Sequence, residues 1–242
     1  MKKKYNITWF DLETTGLNIN TIGLVSMYAI NYKLKHEIDT LINPEIDIPK
    51  EASKVHGIYK KHIKNKPTFK NISTSVKETF SLSEYIGGYN ICRYDVPLLI
   101  SLYHRNNINF DIKNMKFIDV FYIIKNVLDE EDLNTLSSRS LENVYKLITG
   151  KKLDAHKAKY DVLACVEILD EMEKFGLPWR DYILTYEDLR GSTISDPNFK
   201  MKTGKHIGKT INELIKNENS YLKWMTKNNK LILSLELNEL IK

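Results

Sequence analysis

The chain has 242 residues, 42% hydrophobic and 28% charged, with a formal net charge of +5; that allows one full domain with a small appendage, and a nucleic-acid partner without demanding one. Its longest apolar runs, such as Val96 to Leu102, fall far short of the roughly 20 residues a bilayer needs, and the basic Met1-Lys2-Lys3-Lys4 leads into a strand-like stretch, not an apolar signal region, so neither a membrane association nor a secretory leader is expected. Cys92 and Cys165 lie far apart, form no metal-spaced pair and point to a reduced, cytosolic setting.

In chain order, Tyr5 to Phe10 is apolar and β-prone and runs into a turn at Gly16. Side chains alternate along a strand, so Asp11 and Glu13 leave from one face and Leu12 from the other. Two neighbouring carboxylates repel and are costly to bury unless a cation lies between them, and oxygen donors suit Mg²⁺ or Mn²⁺. The plainer reading of Asp-x-Glu is an exposed edge strand with two solvated acids. Thr21 to Leu34 and Glu37 to Asn43 read as the second and third strands, which predicts an antiparallel meander at the front of a mixed sheet. Pro49 to Ile58 reads as a short helix stopped by Gly57, with His56 structural. Phe69 to Leu82 has apolar residues at helical spacing, and Glu84 to Asn90 reads as a short strand.

Asp95 stands where a helix begins, with Pro97 in its first turn; it is either an ordinary N-cap or a site carboxylate. Phe117 to Leu128 reads as a strand end and a helix, Asp129 to Arg139 as a polar loop, and Ser140 to Ile148 as a capped helix closed by Gly150. Periodic apolar residues predict a helix from about Lys157 to Phe175. Asp161 then lies in its first turns and His156 on the loop leading in, from which a side chain can swing to meet a water; read alone, His156 is a surface residue. Gly176 to Asn198 has no sustained period and reads as a linker or strap. Phe199 to Lys242 reads as a small module with helices near Ile211–Lys216, Ser220–Asn228 and Leu231–Ile241.

Taken together, Asp11, Glu13, Asp95, His156 and Asp161 follow an order and spacing with a known counterpart. Phe10-Asp11-Leu12-Glu13-Thr14-Thr15-Gly16 resembles the first motif of the DEDDh (DnaQ-like) 3′–5′ exonucleases, Asn90 to Asp95 with Leu98-Leu99 the second, and His156-Lys157-Ala158-Lys159-Tyr160-Asp161 the third in its histidine-bearing form. Pro44 and Val55-His56-Gly57-Ile58 also fit, and the likeness runs from about Tyr5 to Phe175. The second motif has one residue more before its aspartate than the proofreading-subunit pattern, and is closer to stand-alone DNA exonucleases of the mammalian three-prime repair type. The resemblance implies that Asp11 bridges two metal ions, that Glu13, Asp95 and Asp161 complete their shells, and that His156 takes a proton from the attacking water. It further implies that Thr14 helps hold the terminal 3′-OH and that Leu17 wedges against the last base, with Asn90 and Tyr94 as strand contacts; Tyr94 reads equally as core.

Gly204-Lys205-His206-Ile207-Gly208-Lys209-Thr210 superficially suggests a phosphate-binding P-loop, but that loop needs four residues between its glycines and a preceding strand, and this stretch has neither. With Ile211, Leu214 and Tyr221-Leu222-Lys223-Trp224 it instead resembles the C-terminal module of exodeoxyribonuclease X-like proteins, although Thr203 stands where that pattern has an aromatic. Lys205 and Lys209 are the candidates for gripping a nucleic-acid backbone. Tyr221 and Trp224 are either base-stacking platforms or the core of a small domain, the core reading being favoured for Trp224.

The resulting expectation is an α/β, ribonuclease H-like fold with a central mixed sheet flanked by helices: an exonuclease domain over 1–176, a linker or strap over 177–198 and a mainly helical module over 199–242. The expected activity is Mg²⁺- or Mn²⁺-dependent removal of 5′-mononucleotides from DNA 3′ ends, single-stranded or frayed, in the cytoplasm of a bacterium or a virus- or phage-infected cell. The alternatives are an exoribonuclease of the same superfamily and a non-catalytic nucleic-acid-binding protein. The oligomeric state is left open.

Overall fold

The computed structural model describes residues 4–186, 188–189, 193–194, 196–201, 205–227 and 231–241. Strands β1 (Ile7–Thr14), β2 (Leu24–Asn31) and β3 (His36–Leu41) form the predicted meander. Helix α1 (Lys50–His56) ends at Gly57, whose φ of 71° is the left-handed value glycine adopts freely. After α2 (Lys60–Ile63) and α3 (Phe69–Ser81) come β4 (Tyr85–Gly88), α4 (Asp95–Arg105), β5 (Lys116–Asp119) and α5 (Val120–Val127). The stretch read as a polar loop after Leu128 carries a short helix, α6 (Glu130–Asn134), which Asp129 caps by accepting from the Asp132 N–H. Helices α7 (Leu141–Thr149) and α8 (Ala158–Lys174) follow, with Ser140 and Gly150 capping α7 as predicted.

The sheet order is β3-β2-β1-β4-β5-β6, with β1, β4 and β5 parallel and the others antiparallel. Its sixth strand, β6 (Leu184–Thr185), comes from the segment read as a linker or strap, which also holds a 3₁₀ turn at Trp179–Tyr182. Trp179 is buried against the β1–α8 side of the sheet, so residues 179–185 are packed and paired. Two residues are too short to show a period, which is why the sequence pattern does not mark this strand.

Both faces of the sheet are covered. Phe10, Leu12 and Ile86 pack with α3 and α4 on one side; Trp9, Tyr28 and Ile118 pack with α5, α7 and α8 on the other. Residues 7–10 of β1 are therefore all buried, as expected of a central strand. Gly88 lets β4 come close: a Cβ there would lie 2.6 Å from the carbonyl oxygen of Phe10, the residue before Asp11. The chain leaves β1 for β2 on one side and returns to pair β4 on the other, so a topological switch point falls at the carboxyl end of β1, the usual place for a ligand crevice.

A separate apolar cluster joins Ile194, Met201, Ile211, Leu214, Leu222, Met225, Leu233, Leu237 and Ile241. It is built from β7 (Thr193–Ile194), α9 (Ile211–Asn217), α10 (Asn219–Lys227), β8 (Ile232–Leu233) and α11 (Leu235–Glu239), with β7 and β8 paired in parallel. The third predicted helix of this region is thus shorter than read, because β8 takes its first turn. Trp224 is 53% exposed, contrary to the favoured core reading. On α10 the buried stripe is Leu222 and Met225, and a residue two positions from Leu222 points about 200° away from it. Among the described residues no helix is long and apolar enough to cross a membrane.

Candidate active site

Alternation along β1 puts Asp11 and Glu13 on the side of Trp9, which faces α8. Asp161, in the first turn of α8, meets them there: single carboxylate oxygens of Asp11, Glu13 and Asp161 lie within 4.8 Å of one another. The register of β1 on β2 slips between Glu13 and Thr14, which turns the strand end away from its partner just beyond the acids. Asp95 lies outside this compact group but borders it. It is 5% exposed, its charge raises the Asp11 pKa, and the backbone N–H groups of Leu12 and of Asp95 itself favour its ionised form. Asp95 is the first residue of α4, not its N-cap; Tyr94 holds the cap position without a side-chain bond.

Four converging acids make protonation easier. Burial first, then the charges of Asp95, Asp161 and Glu13, hold Asp11 well above the usual carboxylate range. Burial also raises Asp95, and raises Glu13, beside Asp161, to about 7. Asp161 rises to about 6 through burial, opposed by the His156 N–H, which donates to its Oδ2 at 3.0 Å. The other oxygen, Oδ1, is buried without a hydrogen-bond partner. Oxygen donors left in this state are what a hard divalent cation binds.

His156 is exposed on the loop before α8, and its φ of 67° presents the backbone N–H to Asp161. Leu17 is 70% exposed on the turn beyond β1. The Thr14 hydroxyl donates to the Gly16 carbonyl at 2.7 Å and lies 2.8 Å from the Tyr94 hydroxyl, which itself donates to Gly16 at 2.5 Å. Tyr94 therefore ties the second motif to the turn of the first, and its ring packs on the α3–α4 core. Asn90 has a φ of 56° and a partly buried side chain. Lys205 and Lys209 are exposed in the C-terminal region, whereas Gly204 and Thr203 lie outside the described residues.

Asp119, which the sequence reading left out, and His56, which it read as structural, support this arrangement. Asp119, at the end of β5, is 2% exposed and accepts from the backbone N–H of Asn90 (2.9 Å), Cys92 (3.0 Å) and Tyr122 (3.3 Å). It thereby pins the loop that leads to Asp95 while capping α5. A strand-end aspartate before an apolar helical run was the available signal. His56 is buried against the Thr14 backbone, and burial lowers its pKa.

A model of the exonuclease family matches residues 8–169. The DNA polymerase III epsilon subunit of Rickettsia prowazekii is 33% identical over 157 residues, 60% of this chain and 67% of that one. The PolC-type DNA polymerase III of Caldanaerobacter subterraneus is 23% identical over 175 residues, 69% of this chain but 12% of that protein. Among solved structures, exonuclease I of Methylocaldum szegediense superposes with a TM-score of 0.59 at 20% identity, covering 69% of this chain and 40% of that one. That last likeness is one of fold, the ribonuclease H-like fold.

Proposed function

This chain belongs to the DEDDh (DnaQ-like) 3′–5′ exonuclease family, and from that premise we propose that it shortens DNA from the 3′ end and releases 5′-mononucleotides. The observation that carries the proposal is the meeting of Asp11, Glu13 and Asp161 within 4.8 Å at the carboxyl end of β1, with Asp95 alongside. The donor set fits Mg²⁺ or Mn²⁺: all oxygen, raised in pKa chiefly by burial, with one buried oxygen of Asp161 unpartnered. Asp11, Glu13, Asp95 and Asp161 would hold the ions. Bound there, the ions supply Lewis-acid stabilisation for the charge that builds on the phosphate oxygens.

The chain's own groups do the remainder. His156, on a loop whose backbone is tied to Asp161, takes a proton from the attacking water. The water oxygen bonds to phosphorus, the bond to the preceding O3′ breaks, and that oxygen picks up a proton from solvent. The Thr14–Gly16 turn, held by Tyr94, seats the terminal 3′-OH, and exposed Leu17 meets the last base. Asn90 and Tyr94 act on the substrate strand through the loop that Asp119 holds. Lys205 and Lys209 contact phosphates more distant from the cleaved bond.

DNA is the proposed substrate because the 33%-identical relative is a DNA polymerase subunit and because of the length of the second motif. The bacterial relatives support a cytoplasmic place of work. The test is a gel time course on 5′-labelled DNA and RNA oligomers with Mg²⁺, Mn²⁺ or EDTA. A ladder shrinking from the 3′ end on DNA, abolished by EDTA, is expected. Faster shortening of RNA would move the assignment to an exoribonuclease with the same acids. No cleavage with either metal would leave a nucleic-acid-binding protein.

A further inference from the structure

Helix α4 starts at Asp95, beside the acid cluster, and ends at Arg105 in an open groove of about 690 Å³. Ser101, His104 and Arg105, one face of α4, form one wall together with Asn18 and its neighbours; Lys223 and Lys227 of α10 form the other, with Glu239 at its edge. Three permanent cations thus face the groove with one carboxylate. Arg105 is anchored, donating from Nη2 to the Ile22 carbonyl at 2.8 Å. Lys223 and Lys227 are exposed, four residues apart, and so lie on one side of α10. The asparagine side chains of the 16–22 turn add neutral donors of the kind that bond phosphate oxygens.

We propose that this groove carries the single-stranded DNA upstream of the 3′ end, a reading that rests on the exonuclease function proposed above. Continuity with the site favours this occupant. Asn18 directly follows Leu17, so one turn borders both the acid cluster and the groove. Ser101 lies six residues beyond Asp95, about 9 Å along the axis of α4 and about 120° around it, so a strand leaving the acid cluster would reach this wall by winding partly around the helix. The sign of the charge changes along that path, from carboxylates that need a metal to cations that attract phosphate. The strand crosses from the sheet domain onto α10, so the C-terminal region acts as one wall of the track.

The experiment is fluorescence anisotropy in EDTA with labelled thymidine oligomers of about 4 and about 12 nucleotides, bracketing common single-strand site sizes. The comparison is between wild type, Lys223→Gln/Lys227→Gln, and the charge-matched Lys125→Gln/Lys146→Gln, whose lysines are exposed on α5 and α7. Wild type is expected to bind the long oligomer at least about tenfold more tightly than the short one. The groove variant loses most of that gain, and the slope of log affinity against log salt becomes shallower by about 1.4, two phosphate contacts at about 0.7 each. Equal losses on both oligomers, an equal loss in the charge-matched variant, an unchanged groove variant, or tighter binding of duplex than of single strand would each overturn the groove. Length-dependent binding through the two lysines without Mg²⁺-dependent cleavage keeps the groove and removes the catalytic reading. Normal cleavage with unaltered affinity in the groove variant removes the groove alone.

Discussion

The two ends of α4 stand in unlike surroundings. At its start, Asp95 is buried beside three other acids on a strand and a helix packed into the core. At its end, Arg105 faces Lys223 and Lys227 across an open groove. Crowded, half-dry charges of one sign interact strongly, so the first region is sensitive to pH and to cations. Solvated charges interact weakly and are screened, so the second region is expected to respond to salt and, as the proposed DNA groove, to affect affinity more than chemistry. On the proposed function and groove, rate and grip would reside at opposite ends of one helix and should separate on mutation.

Asp11→Ala is the sharpest test of that separation. It should lower kcat by a factor of about 10³ or more while the dissociation constant for single-stranded DNA in EDTA changes by less than about threefold. Equal kcat in Asp11→Ala and wild type would place the chemistry elsewhere. His156→Ala should cost about 10²–10⁴ in kcat, as general-base losses do, and leave binding of Mg²⁺ by calorimetry intact.

Asp119→Asn should act at one remove. The amide NH₂ would face one of the backbone N–H groups that Asp119 now accepts. A loss of about 1–3 kcal/mol in stability is expected, with kcat down about tenfold and KM nearly unchanged, because the loop before Asp95 loosens while the groove does not. A change confined to KM would show instead that this loop serves grip.

The pH response sharpens the electrostatic side of the comparison. Folding raises the Glu13 pKa from 4.5 to about 7 and Asp161 from 3.8 to about 6. The folded state thus binds more protons than the unfolded one between those values, so metal-free stability should fall as pH rises from about 4 to 7. Scanning calorimetry in EDTA should show the melting temperature dropping through that window, by roughly 2–4 °C for each kcal/mol lost. Mg²⁺ at pH 7 should restore it, and Glu13→Gln should flatten the profile. A metal-free protein that gains stability from pH 4 to 7 would contradict the raised pKa values that burial gives these carboxylates.

The smallest effect belongs to Lys205→Gln/Lys209→Gln. Both lysines are exposed, so a two- to fivefold rise in KM at low salt, vanishing at high salt, is expected from steady-state kinetics. An effect larger than that of the Lys223/Lys227 pair would move the main grip from the groove to the 205–209 turn.

Much of the sheet domain was legible in the residues because its signals are local. The period of two on β1 already put Asp11 and Glu13 on one face, and apolar spacing with Gly57, Ser140 and Gly150 marked α1, α7 and their ends. The site residues were nameable because their order and spacing resemble the DEDDh motifs; read alone, Asp95 is equally an N-cap and His156 a surface residue. Packing between distant segments was not legible. β6 is two residues paired to β5, and Trp224 is outside because Leu222 and Met225 set the buried stripe of α10. The bonds from Asn90 and Cys92 to Asp119 and the Tyr94–Gly16 tie likewise join residues 27 to 78 apart in sequence. The sequence by itself determined which residues carry acid, base and cation, since side-chain chemistry and strand or helix period travel with the chain. Only the tertiary structure decided which of them meet, because burial and long-range hydrogen bonds depend on segments that no local pattern relates.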